Sequence, residues 1–144
     1  LVFKVDDCIF FQLARAGQAG TRYWGGCVAR FGITAAQGMV LNFLGQADEV
    51  TARELGKRTS LDSATVTGIL DRLEAAGLVK RKPHPKDRRA ILVCLTGSGK
   101  KTAGELYAAM VRANEEFLAG LSAQDQQALR VMLGKIRQNL PGGE

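Results

Sequence analysis

The residue types best able to do covalent or metal chemistry are scarce in this chain and poorly spaced for it. Cys8, Cys27 and Cys94 form no CxxC pair and are odd in number, and the single histidine, His84, has no second ligand at metal-binding spacing. Neither a zinc site nor a disulfide framework is expected. The run Gly97-Ser98-Gly99-Lys100-Lys101-Thr102 follows a strand-like stretch and opens a helix-like one, the setting of a phosphate loop. Its spacing fails: a loop ending at Gly99-Lys100 needs glycine where Cys94 stands and serine or threonine where Lys101 stands. One lone histidine, no paired-carboxylate spacing and no intact phosphate loop leave no catalytic constellation. The chain therefore reads as a non-enzyme, with no metal and no cofactor.

The spacing does support charge meeting a polyanion. Lys80, Arg81, Lys82, Lys86, Arg88 and Arg89 share ten residues with one acid, Asp87; six bases less one acid puts +5 there, out of +6 for the whole chain. A patch so concentrated suits nucleic acid, while charge alone fits a solvated loop equally well. Upstream, Ser63, Thr65 and Thr67 carry hydroxyls that can donate or accept, which suits base edges and phosphates alike. Arg72, a turn or so later, is better placed for a phosphate than for a base. Asp87 would cost attraction unless it orients an arginine through a bidentate contact, and it is read as positioning Arg89.

Helices with legible caps must position these residues. Asp6 or Asp7 can cap a first helix running to about Ala29, weakened by Gly17, Gly20, Gly25 and Gly26. Thr34 with Gln37 and Thr51 with Glu54 are capping boxes for the next two. After a tight turn through Arg58 to Leu61, Asp62 caps Ser63 to Ala76, with Val66, Ile69, Leu70 and Leu73 on one face and Gly77 as terminator. Leu78–Lys82 and Ala90–Leu95 then read as two strands around a proline-rich polar loop. Thr96 caps a long helix with an apolar stripe through Ala103, Leu106, Met110, Ala113 and Phe117. Ser122 caps the last, with Leu129, Met132, Leu133, Ile136 and Leu140.

Short helix, tight turn, longer helix and basic hairpin is the order of a winged helix-turn-helix, whose second helix presents its N-terminal residues to the major groove. The expected fold is mainly α, with a two-stranded β-hairpin wing and helices at both ends. The apolar content of 46% and charged content of 24% are ordinary for a globular protein. No apolar run approaches membrane-helix length and Leu1 to Asp7 lack a signal-peptide profile, so cytoplasm is the default expectation.

The stretches Leu61-Asp62-Ser63-Ala64-Thr65-Val66-Thr67, Leu70-Asp71-Arg72-Leu73-Glu74 and Gly77-Leu78-Val79 closely resemble the DNA-reading helix of MarR-type regulators. Pro85-Lys86-Asp87-Arg88-Arg89 and Leu95-Thr96-Gly97-Ser98-Gly99 resemble that family's wing and the start of its next helix. The resemblance implies a homodimer on a palindromic operator of double-stranded DNA, in many cases a repressor released by a small phenolic or lipophilic effector. It implies dimerisation segments at 1–33 and 97–144 flanking a DNA-binding region at 34–96, all one intertwined domain. Ser63, Thr65 and Thr67 would face the groove and Asp87 and Arg89 would be the wing pair. Gly68 departs from the pattern, standing where many relatives carry a basic or larger polar residue.

Three further residues carry effector or redox expectations. Cys8, near a helix start, matches the place where some relatives sense organic hydroperoxides; Asp6 and Asp7 oppose its thiolate, and inert packing is the plainer reading. Tyr23 and Trp24, with Phe31, could line an effector pocket or simply form core and dimer contacts. A rival from another class stays open: a winged-helix module whose basic loop meets an acidic protein instead of DNA.

Overall fold

The computed structural model describes residues 3–47 and 49–138. Six helices and three short strands follow in the order α1 (Ile9–Val28), α2 (Ala35–Gly45), β1 (Val50–Thr51), α3 (Ala52–Thr59), α4 (Ser63–Ala75), β2 (Val79–Pro83), β3 (Ile91–Leu95), α5 (Gly97–Phe117) and α6 (Ala123–Gln138). The mainly α winged-helix architecture is the one expected.

Most caps act as the sequence predicts, because a cap is a local event. Thr34 and Gln37 form a complete reciprocal capping box at the start of α2. Thr51, Asp62 and Thr96 each accept the backbone N–H three residues on, and Ser122 does the same for Asp125. Only half of the second box forms, since the Glu54 carboxylate turns to Arg58 at 2.7 Å. Gly77, at φ +71°, takes the left-handed conformation that ends α4.

The start of α1 corrects the expectation. Asp6 and Asp7 lie in a 3-10 turn, Val5–Asp7, and the N-cap is Cys8, whose side chain makes no capping bond. The turn closes by Cys8 N–H donating to Val5 O at 3.0 Å, which leaves both carboxylates one and two residues short of the N-cap. The four glycines do not break α1. A strand absent from the sequence reading, β1, pairs antiparallel with β3 (Val50↔Val93), so the β2–β3 hairpin belongs to a three-stranded sheet ordered β1-β3-β2.

The core lies where α2, α3, α4, α5 and the sheet meet. Leu41 and Leu44 of α2, Leu55 of α3, Leu70 and Leu73 of α4 and Leu106 of α5 are each at most 1% exposed. Each such burial contributes on the order of 1.5–3 kcal/mol before entropy is counted. Together with Val79, Val93 and Leu95 of the sheet they form one continuous core. Of the two glycines opening α5, Gly99 has a packing cause, since a Cβ there would collide with the Leu78 carbonyl, whereas Gly97 faces open space. Close packing of the start of α5 on the chain at Leu78, between α4 and β2, accounts for Gly99.

Candidate nucleic-acid interface

The turn between α3 and α4 is built from short-range bonds. Ser60 takes the left-handed conformation at φ 57°, and Leu61 N–H donates to Gly56 O at 3.2 Å. Asp62 then caps α4 twice over: its Oδ1 accepts Thr65 N–H at 2.9 Å and its Oδ2 accepts the Thr65 hydroxyl at 2.6 Å. These bonds, led by the Thr65 hydroxyl, hold the Asp62 carboxyl below the usual carboxylate range.

Along α4 the two faces separate cleanly. Val66, Ile69, Leu70 and Leu73 are buried, while Ser63, Thr65, Thr67, Gly68 and Arg72 are exposed. The exposed hydroxyls are not equivalent. Thr65 gives its proton to Asp62, and Thr67 gives its own to Ser63 O at 2.9 Å. Both therefore present lone pairs outward, whereas the Ser63 hydroxyl is engaged by no hydrogen bond among the described residues.

The wing is the β2–β3 hairpin, in register from Val79↔Leu95 to Pro83↔Ile91. Its tip presents Lys86, Asp87, Arg88 and Arg89, all exposed. Asp87 does not bind the Arg89 guanidinium as expected. Its Oδ1 accepts the backbone N–H of Arg89 at 2.9 Å, because a carboxylate two residues back reaches the main chain of a tight turn more easily than a long side chain curls round to it. The carboxylate shapes the loop and leaves the guanidinium free.

His84, expected as an exposed DNA-proximal side chain, and Arg81, counted in the basic patch, instead make internal contacts that complete the wing. His84 is its second organiser: Nδ1 accepts the N–H groups of Lys86 (3.2 Å) and Asp87 (3.1 Å), so the imidazole proton sits on Nε2. Its flanking prolines were the only local signal of a tight turn. Arg81 faces back toward α4, at 2.7 Å from Asp71 and 2.6 Å from Glu74. Lys82 pairs with Glu49. The basic stretch is thus divided. Arg81 and Lys82 serve internal ion pairs, and among the described residues no ion pair engages Lys80, Lys86, Arg88 or Arg89.

Cys8, Tyr23 and Trp24 do not form one site within the chain. Cys8 stands fifteen residues before Tyr23, roughly 22 Å along the helix. The Tyr23 hydroxyl donates to Glu116 Oε2 at 2.6 Å and its ring lies 5.3 Å from that of Phe117. The Glu116 hydrogen bond leads the causes that push its pKa up to about 12. Trp24 points to α2 instead, donating from Nε1 to Ala35 O at 3.0 Å. There it edges a cavity of about 420 Å³ lined by Gly20, Thr21, Ala35, Met39 and Leu61. The lining is mostly apolar. Met39 and Trp24 are its largest apolar lining residues, and Thr21 is one of its few polar groups.

A family model described as "MarR family" matches residues 31–90, the span from just after α1 to the end of the wing loop. The multiple antibiotic resistance protein MarR of Escherichia coli is 35% identical over 105 residues, covering 72% of this chain and 73% of that protein. A crystal structure of a cysteine-to-serine mutant of that protein, in complex with operator DNA, superposes at TM-score 0.80 and 31% identity, over 92% of this chain and 96% of that one. Bordetella bronchiseptica BpsR, solved in a study of how 6-hydroxynicotinic acid regulates its DNA binding, superposes at TM-score 0.89 and 26% identity, over 98% and 100%. Two uncharacterised Bacillus subtilis regulators, 35% and 31% identical, are matched over 66% and 61% of their lengths, so the chain spans a little under two thirds of them. Paired with a capped, hydroxyl-bearing α4 and a basic wing, these likenesses settle the family: the chain belongs to the MarR family of winged-helix transcriptional regulators.

Proposed function

We propose that this regulator binds a palindromic operator as a homodimer, represses the genes beside it, and releases DNA when a small lipophilic or phenolic effector binds. The observation that carries the reading is the pairing of α4, with exposed hydroxyls at its capped start, and a wing tip whose Lys86, Arg88 and Arg89 have no internal ion pair among the described residues. In this account α4 enters a major groove. Ser63 donates to a phosphate, while Thr65 and Thr67, their protons already given, accept from base amino groups. Arg72 meets the backbone. Arg88 and Arg89 reach a flanking minor groove, and Lys86 and the helix N-terminus add phosphate contacts. Asp87 sets the shape of the tip.

Dimerisation is supported by apolar surface the single chain leaves open. Phe3, Val5, Ile9 and Phe10 are 51–78% exposed, and α6 buries none of its residues despite presenting Val131, Met132, Leu133 and Ile136. Residues 1–33 and 97–144 would bury these faces against a partner, leaving 34–96 to DNA. Repression follows where the operator overlaps a promoter, and the site of action is the chromosome, in the cytoplasm. The cavity beside Trp24 has the size and apolar lining of an effector site, and BpsR offers the precedent of DNA binding regulated by a small aromatic acid. Tyr23, tied to Glu116, plays no part in that cavity. A second reading, peroxide sensing by Cys8, draws on its being a free, partly exposed thiol at the N-cap of α1.

Genomic-fragment selection with the purified protein tests this. A recovered palindrome is expected, with binding that falls steeply with salt and weakens at least tenfold in Arg89→Ala. No enrichment at low salt would refute the reading and favour an acidic protein partner for the wing. Release by peroxide that is lost in Cys8→Ser would replace the effector account with the redox one.

A further inference from the structure

Among the described residues, Arg81 is the wing cation whose ion pairs reach α4. It projects from the middle of β2, paired with Val93 of β3, and its side chain is only 26% exposed. The guanidinium meets Asp71 through Nη2 at 2.7 Å and Glu74 through Nη1 at 2.6 Å. Nη2 also lies 3.5 Å from the Thr67 carbonyl, and the Arg81 backbone N–H donates to Glu74 Oε1 at 3.2 Å. These contacts run along two turns of α4, from a groove-facing residue to the last turn. An isolated surface ion pair does little, but here one guanidinium with fixed fork geometry is gripped by two carboxylates on a rigid helix, while its own strand continues to the tip that bears Arg88 and Arg89.

We propose that Arg81 is a positioning residue for DNA recognition, a strut that fixes the angle between the reading helix and the wing so that both grooves are met at once. It touches no DNA. Asp71 and Glu74 then have a purpose that electrostatics alone would deny them. Two acids beside a DNA-binding face repel phosphate, and the grip they provide offsets that cost. The proposal rests on the DNA-binding reading above.

The test compares binding to the recovered duplex and to a scrambled one across a salt series, for wild type, Arg81→Met, Arg81→Lys and the double variant Asp71→Asn/Glu74→Gln. The double variant is the informative one. It removes two negative charges and frees a cation, so a merely electrostatic or DNA-contacting Arg81 would leave its specific affinity unchanged or higher. A strut predicts the reverse: the preference for the recovered duplex falls about tenfold in both Arg81→Met and the double variant, Arg81→Lys is intermediate, and the salt slope of Arg81→Met stays at the wild-type value. A slope lower by about one in Arg81→Met would mean a direct phosphate contact and overturn the proposal. So would an unchanged preference in the double variant. Should Arg81→Met fail to fold, the double variant and Arg81→Lys carry the test. A wild type with no preference would refute the DNA-binding reading itself, a separate outcome.

Discussion

Thr65 and Thr67, set beside Ser63, show how a single proton divides hydroxyls that look alike. Both hydroxyls were legible as candidate DNA contacts from type and spacing, but the acceptors that take their protons, Asp62 and the Ser63 carbonyl, emerge only when the helix and its cap are formed. Asp87 teaches the same lesson. An acid beside arginines is visible in the sequence, whereas its choice of a backbone N–H over a guanidinium depends on the turn. Arg81 was hidden for a different reason, since its partners lie seven and ten residues back, across the end of a helix. Gly68 is open on the exposed face of α4, with no atom within 4 Å of where a Cβ would stand. Gly68→Ala should therefore raise thermal stability by up to about 1 kcal/mol through helix propensity and leave DNA affinity within twofold. Paired melting and DNA titrations check this; a large loss of affinity would mean that the duplex closes on the α4 backbone at that point.

At the scale of elements, what the sequence revealed was what is decided locally. The capping boxes, the Gly77 terminator and the alternation around the wing place α2 to α5 within a residue or two. β1 escaped notice because two residues carry no period, and only pairing with β3, some forty residues on, makes them a strand. The cap of α4 also has a pH signature. Folding lowers the Asp62 pKa, so the carboxylate's contribution is fully present above the unfolded aspartate value, ordinarily about 3.9, and is lost as pH falls through the lower folded value. Asp62→Ala should melt below wild type at neutral pH, with the gap closing as acid protonates the wild-type carboxyl. Melting temperatures from pH 7 downward would show this. A gap that stays constant into strong acid would mean that the residue stabilises α4 by something other than its charge.

The whole molecule is a DNA-reading body on helices that have not found all their contacts. The core joins α3, α4 and the base of the sheet, the frame from which the proposed DNA contacts project. The N-terminal turn and α6 instead leave large apolar side chains in the open. Two such chains, joined through those faces, would set a pair of α4 helices at a fixed spacing, and that spacing is the physical meaning of a palindrome. The most direct test is a hydroxyl-radical footprint of the protein on a selected fragment. The account predicts two protected patches on one face of the duplex, related by a twofold axis and centred about 10 bp apart or a whole multiple of a turn. A single patch, or no protection above that on random DNA at low salt, would contradict it.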